Sequence, residues 1–165
     1  MDPEAKDVAA IERAMVEIRR LQTRRTLARI STQRSEARVD PTLTAVVDAL
    51  ESHTGTPCTV STIATALGVD QPRASRLVAR AVEAGLVTRT ADQLDARRTL
   101  LTLTRTGTQH AEAVHHFRRT LFAEALAGWS PRQTATFARL LTRFVDSYTE
   151  LATDDADTPR HTDQH

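Results

Sequence analysis

The stretch from Thr59 to Gly107 constrains this chain more than any other, because its hydrophobic period changes along it. It opens with helical spacing. Thr59 stands before a run with Ile63, Ala64 and Leu67 on one face, and Gly68 supplies the left-handed position that ends such a run. Asp70 then stands before a second run, with Pro72 in its first turn and Gly85 at its close. Ala74, Leu77, Val78, Ala81 and Val82 share its inner face, whereas Arg73, Arg76 and Arg80 face out. The period then drops to two in Leu86-Val87-Thr88-Arg89 and again in Thr99-Leu100-Leu101-Thr102-Leu103. Between them lies the polar turn Asp92-Gln93-Leu94-Asp95-Ala96-Arg97-Arg98. Two short helices, the second with a basic outer face, lead into an arginine-tipped hairpin.

The flanks are helical. From Asp2 to about Arg34 no proline or glycine follows Pro3, and Val8, Ile11, Met15, Ile18 and Leu21 recur at three- and four-residue steps. One narrow apolar stripe on so long a helix calls for a partner helix. Asp40 and Pro41 give a cap and a first position for a helix through Leu50, ended by His53-Thr54-Gly55-Thr56-Pro57. Cys58 is placed to begin a very short strand. After the hairpin, Thr104 caps a helix whose stripe continues through Val114, Phe117, Leu121 and Ala125. Ser130-Pro131-Arg132-Gln133 starts the last helix, which gathers Phe137, Leu140, Leu141, Phe144, Val145, Tyr148 and Leu151 on one face.

The expected fold is mainly α (α+β): a winged helix-turn-helix with a two-stranded wing, flanked by N- and C-terminal dimerisation helices. The expected division is a dimerisation helix over residues 1–36, a DNA-binding winged helix over 37–104, dimerisation helices over 105–152 and a disordered polar tail over 153–165. Exposed stripes at both ends are most easily covered in a symmetric homodimer. There is no apolar run long enough for a bilayer and no leader-like start, so no membrane partner is expected and the location expected is cytoplasmic, on the nucleoid. The single cysteine fits a reducing compartment. The net charge of +1 decides little, since the placement of charge matters for nucleic acid. All but Lys6 of the 22 basic residues are arginine, which points to a GC-rich source more than to a mechanism.

Within the hairpin, Asp95 and Arg97, then Leu103, Thr104 and Gly107, reproduce a D-x-R … L-T-x-x-G pattern. Upstream lie Leu67-Gly68-Val69-Asp70 and Leu77-Val78-Ala79-Arg80-Ala81-Val82-Glu83-Ala84-Gly85-Leu86-Val87. On these residues the chain resembles the MarR family of bacterial transcription regulators, and the likeness extends over its flanking helices. The resemblance implies a homodimer that binds a pseudo-palindromic operator in double-stranded DNA, most often as a repressor. It also implies a wing arginine in the minor groove, here Arg97 braced by Asp95, and release by a small aromatic or anionic effector bound between the dimer helices and the winged helix. Pro72 and Arg73 depart from the small hydroxyl residues often found there in relatives, which implies a different operator. No cysteine lies near the start of the first helix, unlike the redox-sensing branch.

The chemistry of the contacts follows from residue type. In the major groove, Arg73 is the expected base reader, since a guanidinium donates two hydrogen bonds to guanine O6 and N7. Arg76 is shared between base and backbone, Gln71 suits adenine, and Ser75 on the same helix suits a phosphate. Arg97 suits the negative potential of a narrow minor groove. Arg98, on the other strand face, and the helix starts at Thr42, Thr59 and Ser61 are the phosphate candidates. A solvated basic face is the plain alternative for the arginines, and it is preferred for Arg24, Arg25 and Arg29, which otherwise offer an effector anion a partner.

Other signals are weaker. His110, His115 and His116 have no H-x-x-x-H spacing, and adjacent helical residues point about 100° apart, so structural or surface roles are expected and no metal or cofactor. His161 and His165 fall in the tail and read the same way. Cys58 reads as a small buried residue, with a modifiable thiol beside the helix-turn-helix as the alternative. Trp129 and Tyr148 read as core or dimer anchors. No glycine-rich phosphate loop, nucleophile elbow or spaced acid–base pair is present, so no enzyme is expected. Two further readings stand beside the regulator: an architectural DNA-binding protein without ligand control, and a winged-helix module for protein partners.

Overall fold

The computed structural model describes residues 3–21, 40–92, 95 and 98–154. The elements are α1 (Pro3–Leu21), α2 (Pro41–Glu51), α3 (Val60–Leu67), α4 (Gln71–Glu83), β1 (Val87–Ala91), β2 (Thr99–Leu103), α5 (Arg105–Ala125) and α6 (Pro131–Asp154). They fall into two compact units, Met1–Arg118 and Arg119–His165, divided within α5.

The first unit is assembled by caps that the sequence spells out. Asp40 Oδ1 accepts the Thr42 N–H at 2.8 Å, with Pro41 at the first position of α2 where a missing N–H costs nothing. Thr59 and Thr62 form a reciprocal box at the start of α3, satisfying two otherwise orphaned donors. Gly68, at φ 60°, turns the chain so that the Val69 N–H reaches the Ala64 carbonyl. Asp70 accepts the Arg73 N–H at 2.7 Å and starts α4 within two residues of that turn. The tight helix-turn-helix follows from these local bonds.

Packing then closes the core. Val46 and Val47 of α2, Ile63 of α3, and Ala74, Val78 and Ala81 of α4 are fully buried, joined by Leu86, Val87, Leu101 and Ala111. Each large aliphatic side chain so buried contributes on the order of 2 kcal/mol against the entropy of ordering the chain. The hairpin is antiparallel with Val87 opposite Leu103 and Ala91 opposite Thr99. Val87 and Leu101 face the core while Thr88, Arg89, Thr90 and Thr102 are exposed. Cys58 is not part of a regular strand, but its carbonyl accepts the Leu101 N–H at 2.8 Å, so it extends the sheet by one bond.

The start of α5 is welded to the end of α4. Thr104 Oγ1 donates to the Gly85 carbonyl at 2.6 Å and accepts the Gly107 N–H at 3.0 Å. The Thr104 N–H meanwhile donates to the Leu86 carbonyl. A Cβ at position 107 would overlap that same Leu86 carbonyl oxygen, so only glycine permits the approach. The L-T-x-x-G pattern therefore has a physical content: a cap, a cross-link to the preceding turn, and a bare backbone where two segments touch.

Along the rest of the first unit, α5 is tied to α2 by polar contacts. His110 Nε2 lies 3.1 Å from Thr44 Oγ1, and His115 Nε2 lies 2.9 Å from Glu51 Oε2. The Arg118 guanidinium meets Asp48 through two hydrogen bonds, at 3.1 and 2.6 Å. In the second unit, Ser130 and Gln133 cap α6 reciprocally. Trp129 packs edge-on against Phe137 and Phe144 stacks on Tyr148. The apolar stripes of α1 and α6 are exposed, from Met15 and Phe144 at 37% to Leu151 at 70%.

Candidate nucleic-acid interface

Helix α4 is strongly two-faced. Ala74, Leu77, Val78 and Ala81 are buried, while Gln71, Arg73, Ser75, Arg76 and Arg80 are exposed. At about 100° per residue, Arg76 stands opposite the buried face, with Arg73 and Arg80 on one flank and Gln71 and Ser75 on the other. All four residues expected to enter a major groove are exposed, but Gln71 and Ser75 lie on the flank opposite Arg73, with Arg76 between them. Among the described residues, neither the Arg73 nor the Arg76 guanidinium has an ion-pair partner.

Arg80 is different. Its Nη2 lies 2.7 Å from Asp40 Oδ2, so the last turn of α4 is bonded to the cap of α2. Burial works to raise the Asp40 carboxyl pKa, but hydrogen bonding by Thr42 and the Arg80 charge outweigh it, and the net shift is downward. By its spacing alone Arg80 is simply an outward-facing arginine. A pair spanning α2 and α4 leaves no periodic trace, and the only available signal was an acid at a cap and a base on a neighbouring helix.

The hairpin end is partly described. Arg97, the expected minor-groove residue, lies outside the described residues, as do Arg24, Arg25 and Arg29, and so does any bracing of Arg97 by Asp95. Asp95 is exposed, and its carbonyl accepts the Arg98 N–H at 2.9 Å. The Asp92 N–H donates to the Arg98 carbonyl at 3.0 Å. Arg98, expected at a phosphate, has Nη1 3.7 Å from the carboxylate of Asp92, which is buried. Sequence reasoning did not single out Asp92; acid and base flanking a turn at the strand ends were the signal.

The remaining phosphate candidates are distributed over two helix starts. Thr42 is half-buried and gives its N–H to Asp40. Thr59 is half-buried in its capping box, whereas Ser61 is exposed in the first turn of α3. Cys58 is buried, and burial pushes its thiol pKa up. His110 and His115 are occupied with α2, and among the described residues no three His, Cys, Asp or Glu side chains are grouped to hold a metal. None of the described helices is long and apolar enough to cross a membrane.

A helix-turn-helix, an exposed arginine-bearing second helix and an adjoining antiparallel hairpin together define a winged helix-turn-helix protein. Residues 39–98, the segment from the cap of α2 to the hairpin, match the MarR family model. Over that segment the chain is similar to the MarR family. Among solved structures, a MarR family protein from Bacillus stearothermophilus superposes with a TM-score of 0.73 at 20% identity, covering 90% of this chain and 99% of that one. A probable transcriptional regulator from Pseudomonas aeruginosa is 29% identical at a TM-score of 0.50, covering 71% and 86%. A mutant of S. aureus MepR bound to an oligodeoxyribonucleotide gives 0.56 at 19% identity, covering 86% and 97%. A sequence comparison with curated proteins returns no match.

Proposed function

We propose that this chain is a sequence-specific DNA-binding regulator that acts as a homodimer, represses from a pseudo-palindromic operator, and is released by a small aromatic or anionic effector. The observation that carries the DNA reading is the exposed ridge of Arg73 and Arg76 on a helix whose opposite face is locked into the core. A helix so anchored presents its side chains to a groove without paying to order them first. The oligonucleotide complex of the MepR mutant, a protein of like fold, supports the same partner. Gln71 and Ser75 flank the ridge and complete the reading surface, with Arg97 in the minor groove.

Dimer formation rests on the exposed apolar faces of α1 and α6, which are larger than scattered surface residues require. Two chains then place two α4 helices about one helical turn of DNA apart. Selection of bound fragments from genomic DNA, followed by titration of the recovered site, tests the reading. Arg73→Ala is expected to cost about 1–3 kcal/mol on the selected site and to relax preference at one base pair per half-site. Equal affinity for selected and scrambled duplexes favours an architectural protein instead, and salt-independent or absent binding removes DNA as the partner.

A further inference from the structure

The third arginine of the α4 ridge is chemically unlike the first two. Arg73 and Arg80 are seven residues apart, which places them on the same flank about 10 Å apart along the helix axis. On the DNA-binding reading, an arginine in the last turn of α4 would be within reach of the phosphate backbone. Yet its guanidinium is engaged at 2.7 Å by Asp40, whose other carboxylate oxygen caps α2 through the Thr42 N–H at 2.8 Å. Because the cap fixes one oxygen, the second is held in place for Arg80 without further ordering of the carboxylate. Both partners are substantially exposed, with 54% of the Arg80 and 34% of the Asp40 side chain accessible, so the pair contributes little to stability. Its consequence is electrostatic: a cation and an anion at the rim of the reading surface cancel.

We infer that Asp40 masks Arg80 from DNA phosphates and so acts as a specificity-determining residue, lowering sequence-independent binding while Arg73 and Arg76 stay available to bases. This rests on the DNA-binding reading above. An unmasked Arg80 adds a phosphate contact that every sequence satisfies equally, which narrows the gap between operator and bulk DNA. For Arg80 to leave Asp40 for a phosphate, the freed carboxylate would be left unpaired beside the DNA backbone, where like charges repel. The exchange therefore brings no net attraction, and the pair persists in the complex.

The test measures binding of the full chain to a random-sequence duplex of fixed length over a range of salt concentrations. Asp40→Asn keeps the cap, since asparagine caps as well as aspartate, but removes the charge. It is expected to tighten random-duplex binding by roughly threefold per chain and to steepen the log–log salt slope by about 0.9 per chain, the signature of one added phosphate contact. Adding Arg80→Gln to Asp40→Asn is expected to return the slope to the wild-type value, because the neutralised pair, like the wild-type ion pair, offers no free cation to a phosphate. Thermal unfolding confirms that each variant is folded; if Arg80→Gln is not, Arg80→Met keeps the stem and replaces it. A slope in the double variant that falls about 0.9 per chain below wild type, or an unchanged slope in Asp40→Asn, overturns the masking alone. Wild-type protein that binds no duplex overturns the DNA reading and the masking together.

Discussion

At the scale of single residues, Gly107 and Cys58 show how much depends on backbone approach and burial. The Gly107 backbone lies against the Leu86 carbonyl with no room for a side chain, so Gly107→Ala must push α5 away from the α4–β1 turn. Overpacking of this kind costs about 3 kcal/mol, and the Thr104 bonds to Gly85 and Leu86 would weaken with it. Chemical denaturation of the variant should show a midpoint lowered accordingly at unchanged slope; wild-type stability would mean the contact is looser than described. Cys58 is buried with a thiol pKa raised by that burial, so little thiolate forms at neutral pH. Its alkylation by iodoacetamide is expected to be slow in the native protein and fast in denaturant. Rapid alkylation without unfolding would favour the modifiable thiol beside the helix-turn-helix. Both residues were visible in the sequence, Gly107 through a motif and Cys58 through its solitude, but the reason for each lies in a neighbour distant along the chain.

Among elements, the local signals proved the most legible. Asp40-Pro41, Thr59, Gly68, Asp70, Gly85, Thr104 and Ser130 each sit at the helix end their chemistry favours. The two period-2 runs pair in the register their alternation requires. What the sequence did not disclose is the seam between α2 and α5, where Thr44, Glu51 and Asp48 meet His110, His115 and Arg118 across 64 to 70 residues. Periodicity states which face a residue occupies, not which distant residue it will meet, and polar residues on intermediate faces carry no period of their own. Within the seam His110 and His115 bridge the two helices. Hydrogen bonding to Asp48 holds the Arg118 guanidinium above its ordinary pKa despite the opposing effect of burial, with the Asp48 and Glu51 charges adding to it. The bidentate geometry makes this pair the strongest point of the seam. Asp48→Asn keeps the shape and removes the charge, so it is expected to destabilise the first unit by only about 1 kcal/mol. Amide exchange should accelerate along residues 110–118 more than in α3; a uniform change would indicate that the seam does not fasten α5 locally.

For the whole molecule, the decisive fact is that apolar surface remains uncovered on a single chain. Val8, Ile11, Met15, Ile18 and Leu21 of α1, and Phe137, Leu140, Leu141, Phe144, Val145, Tyr148 and Leu151 of α6, are all exposed. The sequence announced both stripes by their spacing, because an amphipathic helix carries its pattern whether or not its partner is in view. A monomer would leave these faces in water at a cost of about 25 cal/mol for each Å² that a partner removes. In the proposed homodimer a second copy would offer the same stripes and close the assembly by two-fold symmetry. Leu140→Glu puts a carboxylate in the middle of the α6 stripe, where dimer burial would strip its water without providing a cation. Sedimentation should then show a monomer, or at least a tenfold weaker dimer, by a charge-burial cost of about 1–3 kcal/mol or more per chain. The winged helix should remain folded, because its core of Val46, Val47, Ile63 and Val78 lies within residues 40–118. Operator binding should fall far more than random-duplex binding, since a lone recognition helix keeps its phosphate contacts but loses the second half-site. An unaltered dimer in Leu140→Glu would mean that α6 is not where the two chains meet, and the two-fold reading of the operator would lose its footing with it.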